Sequence, residues 1–184
     1  MRPGLRTQRL RLPWLLALPF LFFARPTSGL ILAGLLLALP GLLLRVSASG
    51  YIEKDRALAV HGPYAHLRHP LYLGSFLAGM GLVVGGGIWL LLPVFVPLFL
   101  WLYLRAARAE EREMVMRFGE AFREYRRRVP AILPSVGGRE DLLTSEPQAF
   151  QHRLFVQNRG WDAPLGILGG FGLLWLKMAI FPWH

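Results

Sequence analysis

Apolar residues fall in unbroken blocks along this chain rather than at amphipathic spacing, and the polar residues gather between the blocks. A helix needs about 20 apolar residues to cross the hydrocarbon core of a bilayer, somewhat fewer where flanking groups snorkel. Leu12 to Ala24 is the weakest block, short and interrupted by Pro13 and Pro19. Leu30 to Leu44 is cleaner, with Pro40 as an expected kink that a neighbouring helix can cover. Pro70 to Leu104 holds no charged residue over 35 positions, enough for two helices with Gly85-Gly86-Gly87 as the hinge. Pro164 to Pro182 gives a last span, with Lys177 near enough to its far end to snorkel outward. The pattern predicts an all-α fold, one membrane domain over residues 1–184. It is a polytopic bundle of about five transmembrane helices, near 12–24, 29–44, 70–85, 88–105 and 164–182.

The polar stretches carry weaker patterns. From Arg108 to Arg128, Met114, Phe118, Ala121, Phe122 and Tyr125 recur at helical spacing, with Val129 just beyond. Glu113–Arg117 and Glu124–Arg128 are i,i+4 pairs in the favoured order. This reads as an amphipathic helix with a basic outer face, lying on the membrane surface or roofing a site. Residues 135–163 begin as a polar linker and continue into a short interfacial helix around 150–159. In the last span Gly166, Gly169, Gly170 and Gly172 are read as a close-packing face.

Composition sharpens the class. A hydrophobic fraction of 54% exceeds the roughly 45–50% usual for a soluble domain. The net charge of +10 could mean nucleic acid, an anionic surface or topology. The basic residues flank the apolar blocks without a polar groove or exposed aromatics, so nucleic acid is not expected as a partner. With the N-terminus cytoplasmic, residues 1–11 hold four Arg and Lys, residues 45–69 four and residues 105–163 eleven; the opposite side holds only Arg25. That asymmetry predicts the N-terminus inside, the C-terminus outside and both large polar segments on the cytoplasmic face. Arg2, Arg6, Arg9 and Arg11 before an apolar run resemble a signal peptide, but without a good cleavage site the run is read as a retained helix. The absence of cysteine removes disulfides, thiolate metal sites and a cysteine nucleophile. Arginine outnumbers lysine by 19 to 2, which points to a GC-rich prokaryote and its inner membrane.

Chemistry concentrates where a polar segment enters the third span: His61-Gly62-Pro63-Tyr64-Ala65-His66-Leu67-Arg68-His69-Pro70-Leu71-Tyr72-Leu73-Gly74. Pro70 suits the first turn of a helix, and the unpaired N–H groups there, with Arg68 and His69 beside them, can hold a carboxylate. Gly74, Ser75, Ala78 and Gly79 leave one side of that helix smooth for a partner helix or a flat ligand. Taken singly, these residues read as topology anchors, interfacial aromatics and packing. The three histidines match no zinc pattern, and no metal is expected.

The whole string resembles the G-P-Y-x-x-x-R-H-P-x-Y-x-G signature of the isoprenylcysteine carboxyl methyltransferase family, related more distantly to membrane phospholipid methyltransferases. The second half of that signature, two glutamates followed by Phe-Gly, spaced aromatics and a closing proline, is matched by Glu110-Glu111, Phe118-Gly119, Phe122, Tyr125, Val129, Pro130 and Pro134. The resemblance covers roughly residues 50–134. It implies S-adenosyl-L-methionine as cofactor, at residues 61–74 and 110–134, with Gly62, Pro63, Tyr64, Arg68, His69, Pro70, Tyr72, Gly74, Glu110 and Glu111 as binding residues. Adjacent helical residues point about 100° apart, so one glutamate is expected to bind cofactor and the other to orient an arginine; which is left open. A lipid or other lipophilic acceptor is implied. The lack of an obvious base beyond His69, His66 and Tyr125 favours an ionised carboxylate, with Arg117 or Arg128 holding its unreactive oxygen and Tyr125 as a further candidate catalytic group. The alternatives are an amine or phospholipid N-methyltransferase and a non-catalytic membrane protein on the same scaffold.

Overall fold

The computed structural model describes residues 19–53, 57–135 and 148–181. Among them every regular element is helical. In chain order these are α1 (Ser28–Ser49), α2 (Pro63–His66), α3 (Pro70–Gly85), a 3-10 turn (Trp89–Leu91), α4 (Leu92–Phe118), α5 (Glu120–Arg128), α6 (His152–Gln157) and α7 (Asp162–Ile180). A short helical stretch at 19–23 precedes α1. Three helices are long and apolar enough to cross a membrane: Ser28–Ser49, Trp89–Phe118 and Asp162–Ile180. Their faces carry exposed Leu36, Leu43, Leu98 and Trp175, as lipid-facing surfaces do. This is an integral membrane protein. The fourth apolar helix, α3, has 16 residues and so rises only about 24 Å, short of the roughly 30 Å core. Most of the expected first span, and with it Arg2, Arg6, Arg9 and Arg11, lies outside the described residues, as do Lys54 and Arg56.

The bundle is built on α1 against α3, because glycines let the two backbones approach. A Cβ on Gly74 would stand 2.6 Å from the Gly41 carbonyl, and one on Gly81 2.5 Å from the Gly34 carbonyl. Close backbone contact of this kind replaces the hydrophobic drive that lipid does not supply. The smooth face is therefore Gly74, Ala78, Gly81 and Gly85, all buried; Gly79 looks instead at Phe95 of α4. Helix α7 packs across both helices through Phe171 and Leu174. Among the described residues Gly170 of this helix meets Leu82, while Gly166, Gly169 and Gly172 meet nothing within 4 Å, so the expected close-packing face is not used among them. Lys177 does not simply snorkel. Its ammonium donates to the Leu21 and Phe22 carbonyls at 2.6 and 2.8 Å, tying α7 to the chain before α1.

The glycine hinge forms as expected: α3 ends at Gly85, and the Arg25 amide donates to the Gly86 carbonyl at 2.8 Å. The segment from Arg108 to Arg128 differs from expectation. It is not one surface helix, for α4 runs on unbroken from the span through Glu110 and Glu111 to Phe118. Gly119, at φ +56°, then breaks the chain direction in a conformation costly for any residue with a Cβ, and α5 starts anew. The glutamate pair thus sits on a rigid extension of a membrane helix.

Candidate functional site

Pro70 opens α3 with His69 as its N-cap residue, which sets Arg68 and His69 beside the passing α4. Arg68 Nη1 donates to Glu111 Oε1 at 2.6 Å, and His69 Nε2 lies 3.2 Å from the same oxygen. His69 Nδ1 is 3.6 Å from Glu110 Oε2, so the imidazole stands between the two carboxylates. Arg126 of α5 approaches Glu111 from the other side at 3.7 Å. Glu111 is the glutamate paired with arginines, and its side chain is 14% exposed against 37% for Glu110.

The two signature halves are stitched by backbone. The Arg68 amide donates to the Pro130 carbonyl at 2.9 Å and the Ser135 amide to the His66 carbonyl at 3.0 Å. The Tyr125 hydroxyl donates to the Tyr64 carbonyl at 2.7 Å in a buried setting. Gly62, at φ +59°, turns the chain into α2 and lies under the Tyr51 ring, where a Cβ would be 2.5 Å from Cζ. Gly62 and Pro63 thus shape the turn.

Between these elements lies a cavity of about 240 Å³. Its polar lining is Glu53, Tyr64, Arg68, His69, Glu110, Glu113 and Arg117, and its apolar lining includes Leu58, Met114, Phe118, Phe122 and the Tyr125 ring. Tyr64 is 6% exposed, and neither its hydroxyl nor Arg68 Nε has a hydrogen-bond partner among the described residues. Buried donors left in this way are rare in folded proteins and call for an explanation. Burial, reinforced by the Glu110 carboxylate and opposed by Arg45, pushes the Tyr64 hydroxyl pKa well up, so it remains a neutral donor.

Several expected site residues have other parts. Gly74 faces Gly41 and Arg45 of α1 and Pro70 is buried at the α3 start; neither lines the cavity. Tyr72 packs against His69 and Tyr103 at ring separations of 5.8 and 5.2 Å and does not line the cavity. Arg128 pairs with Glu124 on α5 and is absent from the cavity wall, whereas Arg117 is part of it. Tyr125 suits no base role, because its hydroxyl is already donated and burial raises its pKa further. Two residues were missed. Tyr103 backs His69 at 6.1 Å and donates to the Ala131 carbonyl at 2.8 Å. Arg45 donates to the Leu71 carbonyl at 3.1 Å and to the Ser75 hydroxyl, clamping the first turn of α3. Tyr103 stands two helical turns before Glu110, the one spacing in the sequence that could have flagged it.

The model of the phospholipid methyltransferase family matches residues 30–121, half of the chain. The chain belongs to the phospholipid methyltransferase family. Three curated proteins show how widely that relationship spreads. A protein-S-isoprenylcysteine O-methyltransferase of Schizosaccharomyces pombe is 33% identical over 87 residues, covering 46% of this chain and 36% of that protein. A methanethiol S-methyltransferase of Crocosphaera subtropica is 32% identical over 74 residues, 40% of this chain and 28% of that protein. A cobalt-zinc-cadmium resistance protein of Cupriavidus metallidurans is 33% identical over 104 residues, 55% and 48% of the two chains. The chain spans between about a quarter and a half of the length of these relatives. No solved structure matches it. The family match takes in Arg68, His69, Glu110, Glu111 and Arg117, but stops before Phe122 and Tyr125, which close the cavity.

A strut role for Tyr125 makes a direct prediction. Tyr125→Phe removes one buried hydrogen bond and leaves the Tyr64 carbonyl without it, a cost of about 1–2 kcal/mol in stability. Ligand binding and turnover should stay within about threefold of the parent, a span smaller than 1 kcal/mol. A loss of turnover by several orders of magnitude with unchanged melting would restore the base role.

Proposed function

We propose that the protein is an S-adenosylmethionine-dependent methyltransferase that modifies a lipophilic acceptor bearing a carboxylate, at the cytoplasmic mouth of its helix bundle. The observation that carries this reading is the cavity beside the Arg68–Glu111 pair, where two buried donors without partners meet a carboxylate and an apolar wall. S-adenosylmethionine supplies a sulfonium-activated methyl group and presents a carboxylate, an amine, ribose hydroxyls and an adenine. The donor set fits those groups. Tyr64 Oη and Arg68 Nε donate to ligand oxygens, and Glu110 accepts from hydroxyls or the amine. Met114, Phe118 and Phe122 offer apolar and aromatic faces to the flat base. Glu111 is engaged by Arg68 and His69 and acts through them.

Transfer of this kind rests on alignment of donor and acceptor and on exclusion of water. An ionised carboxylate needs no proton removed, and two of the groups that could remove one are already engaged: His69 is flanked by both glutamates and the Tyr125 hydroxyl donates to the Tyr64 carbonyl. Arg117, on the cavity wall, would hold the acceptor's unreactive oxygen. The cytoplasmic placement rests on the basic segments, nineteen Arg and Lys against Arg25 alone on the opposite side. One observation favours an amine acceptor instead. Glu53 and Glu113 join Glu110 around the cavity, and three carboxylates attract a cation.

Incubation of the protein with methyl-labelled cofactor and native membrane extract separates the readings. A base-labile methyl ester on an extractable lipid is the expected product. Base-stable label on an amine headgroup would overturn the carboxylate assignment, and no lipid label would overturn the acceptor class. Arg117→Gln should raise the acceptor KM about tenfold, the worth of one charged hydrogen bond, with cofactor affinity unchanged.

A further inference from the structure

The cavity wall opposite α4 is made by the chain leaving α1, through Ile52 and Glu53, and this stretch has no regular structure of its own. It is held from outside the family-matched region. Asn158, just past α6, donates both hydrogens of its side-chain amide, to the Ser49 carbonyl at 3.0 Å and to the Ile52 carbonyl at 2.8 Å. The Gln151 amide donates to the Gly50 carbonyl at 3.0 Å. Ser49 is the last residue of α1, so Asn158 and Gln151 together satisfy carbonyls that a helix end leaves without intrahelical partners.

Packing follows the same line. The Phe150 ring lies so close to Gly50 that no side chain fits there, and Tyr51 meets it edge-on at 6.2 Å. Tyr51 in turn covers Gly62, where the signature begins. Arg153 reaches Glu53 of the wall at 3.8 Å. On the far side Gly160 is pressed against Phe155 and Ser49. One segment therefore holds the wall through hydrogen bonds, an aromatic contact and an ion pair.

We propose that the segment 150–160 is a clamp that completes the cofactor cavity, and that Asn158 is its positioning residue, fixing Ile52 and Glu53 at the spacing the ligand requires. The inference rests on the S-adenosylmethionine reading for the identity of the ligand. Asn158 touches neither ligand nor reacting atoms. It acts by fixing a loop that would otherwise need to be ordered at the moment of binding, a cost that falls on affinity. Loss of the clamp should therefore weaken binding and raise KM while kcat at saturation holds.

The test uses the full chain in lipid nanodiscs and titration with S-adenosylhomocysteine, the demethylated product, alongside thermal melting. Asn158→Asp replaces the donors by an acceptor facing two carbonyls, and Asn158→Gln keeps the donors on a longer arm. We expect Asn158→Asp to weaken binding about tenfold or more, two hydrogen bonds' worth, with Asn158→Gln recovering part of the loss. Phe150→Ala, at a half-exposed position, should weaken binding severalfold without unfolding the protein, which keeps the inference testable if Asn158→Asp does not fold. Parent-like affinity in Asn158→Asp, or in Phe150→Ala should Asn158→Asp not fold, would overturn the clamp, given a parent that binds. A folded parent that binds no S-adenosylhomocysteine would overturn the cofactor reading itself.

Discussion

Glu110→Gln is expected to weaken cofactor binding about a hundredfold and leave melting within a few degrees of the parent, because charged hydrogen bonds to a ligand are worth about 1.5–3 kcal/mol each. Glu110 is the more exposed of the pair, lines the cavity and is not needed to neutralise Arg68. The neighbouring change should behave differently. Glu111→Ala leaves Arg68, 12% exposed, without its 2.6 Å partner and frees His69 Nε2. Removing one member of a largely buried pair is costly, and about 3 kcal/mol of stability is expected to go with it. Isothermal titration with S-adenosylhomocysteine and thermal melting on both variants separate the roles. Equal losses of binding and stability in the two would show that the pair acts as a single structural cluster.

Gly81→Leu should be the most damaging change to the fold. At this position even a Cβ would stand 2.5 Å from the Gly34 carbonyl and 2.6 Å from the Ala38 Cβ. These atoms are backbone and a short side chain, so nothing can swing aside and α1 must move away from α3. Both helices carry the site, α3 through His69 at its start and α1 through Arg45 and the wall beyond Ser49. Overpacking of this severity costs at least about 3 kcal/mol. The expected result is a protein that aggregates on extraction or melts well below the parent in detergent. Gly166→Leu on α7, where none of the described residues lies within 4 Å, is the control and should extract normally. Equal behaviour of the two would show that α1 and α3 are not packed through these glycines.

Much of this arrangement was legible in the sequence because it rests on local signals. Pro70 marks a helix start through its fixed φ and missing donor, and Gly85-Gly86-Gly87 marks a hinge. The two signature halves could be paired because together, in order and separated by one hairpin, they resemble a single family signature. The direction of the α3 glycine face was not legible, since Gly74, Ser75, Ala78 and Gly79 are all small and only packing shows that Gly79 turns towards Phe95. The break at Gly119 was hidden by apolar spacing that continues in register across it, from Met114 and Phe118 to Phe122 and Tyr125. Asn158 could not be read at all. Its partners are carbonyls more than 100 positions away, and carbonyls leave no mark in the sequence.

The choice between Glu110 and Glu111 shows the same division. Sequence places the two carboxylates side by side on a helix, and only the approach of α3 makes one the partner of Arg68. Arg45 was read as a topology charge. Its contact with the first turn of α3 adds a structural part, since it binds the Leu71 carbonyl and the Ser75 hydroxyl beside the site.

The most direct test of the central claim, that the mouth beside Arg68 and Glu111 is a cofactor site, is calorimetric titration of the folded parent in nanodiscs with S-adenosylhomocysteine, repeated on Tyr64→Phe. The account predicts saturable one-to-one binding to the parent and about tenfold weaker binding to the variant, which lacks the buried hydroxyl donor. Absence of binding to a parent that melts cooperatively, or undiminished binding to Tyr64→Phe, would contradict it.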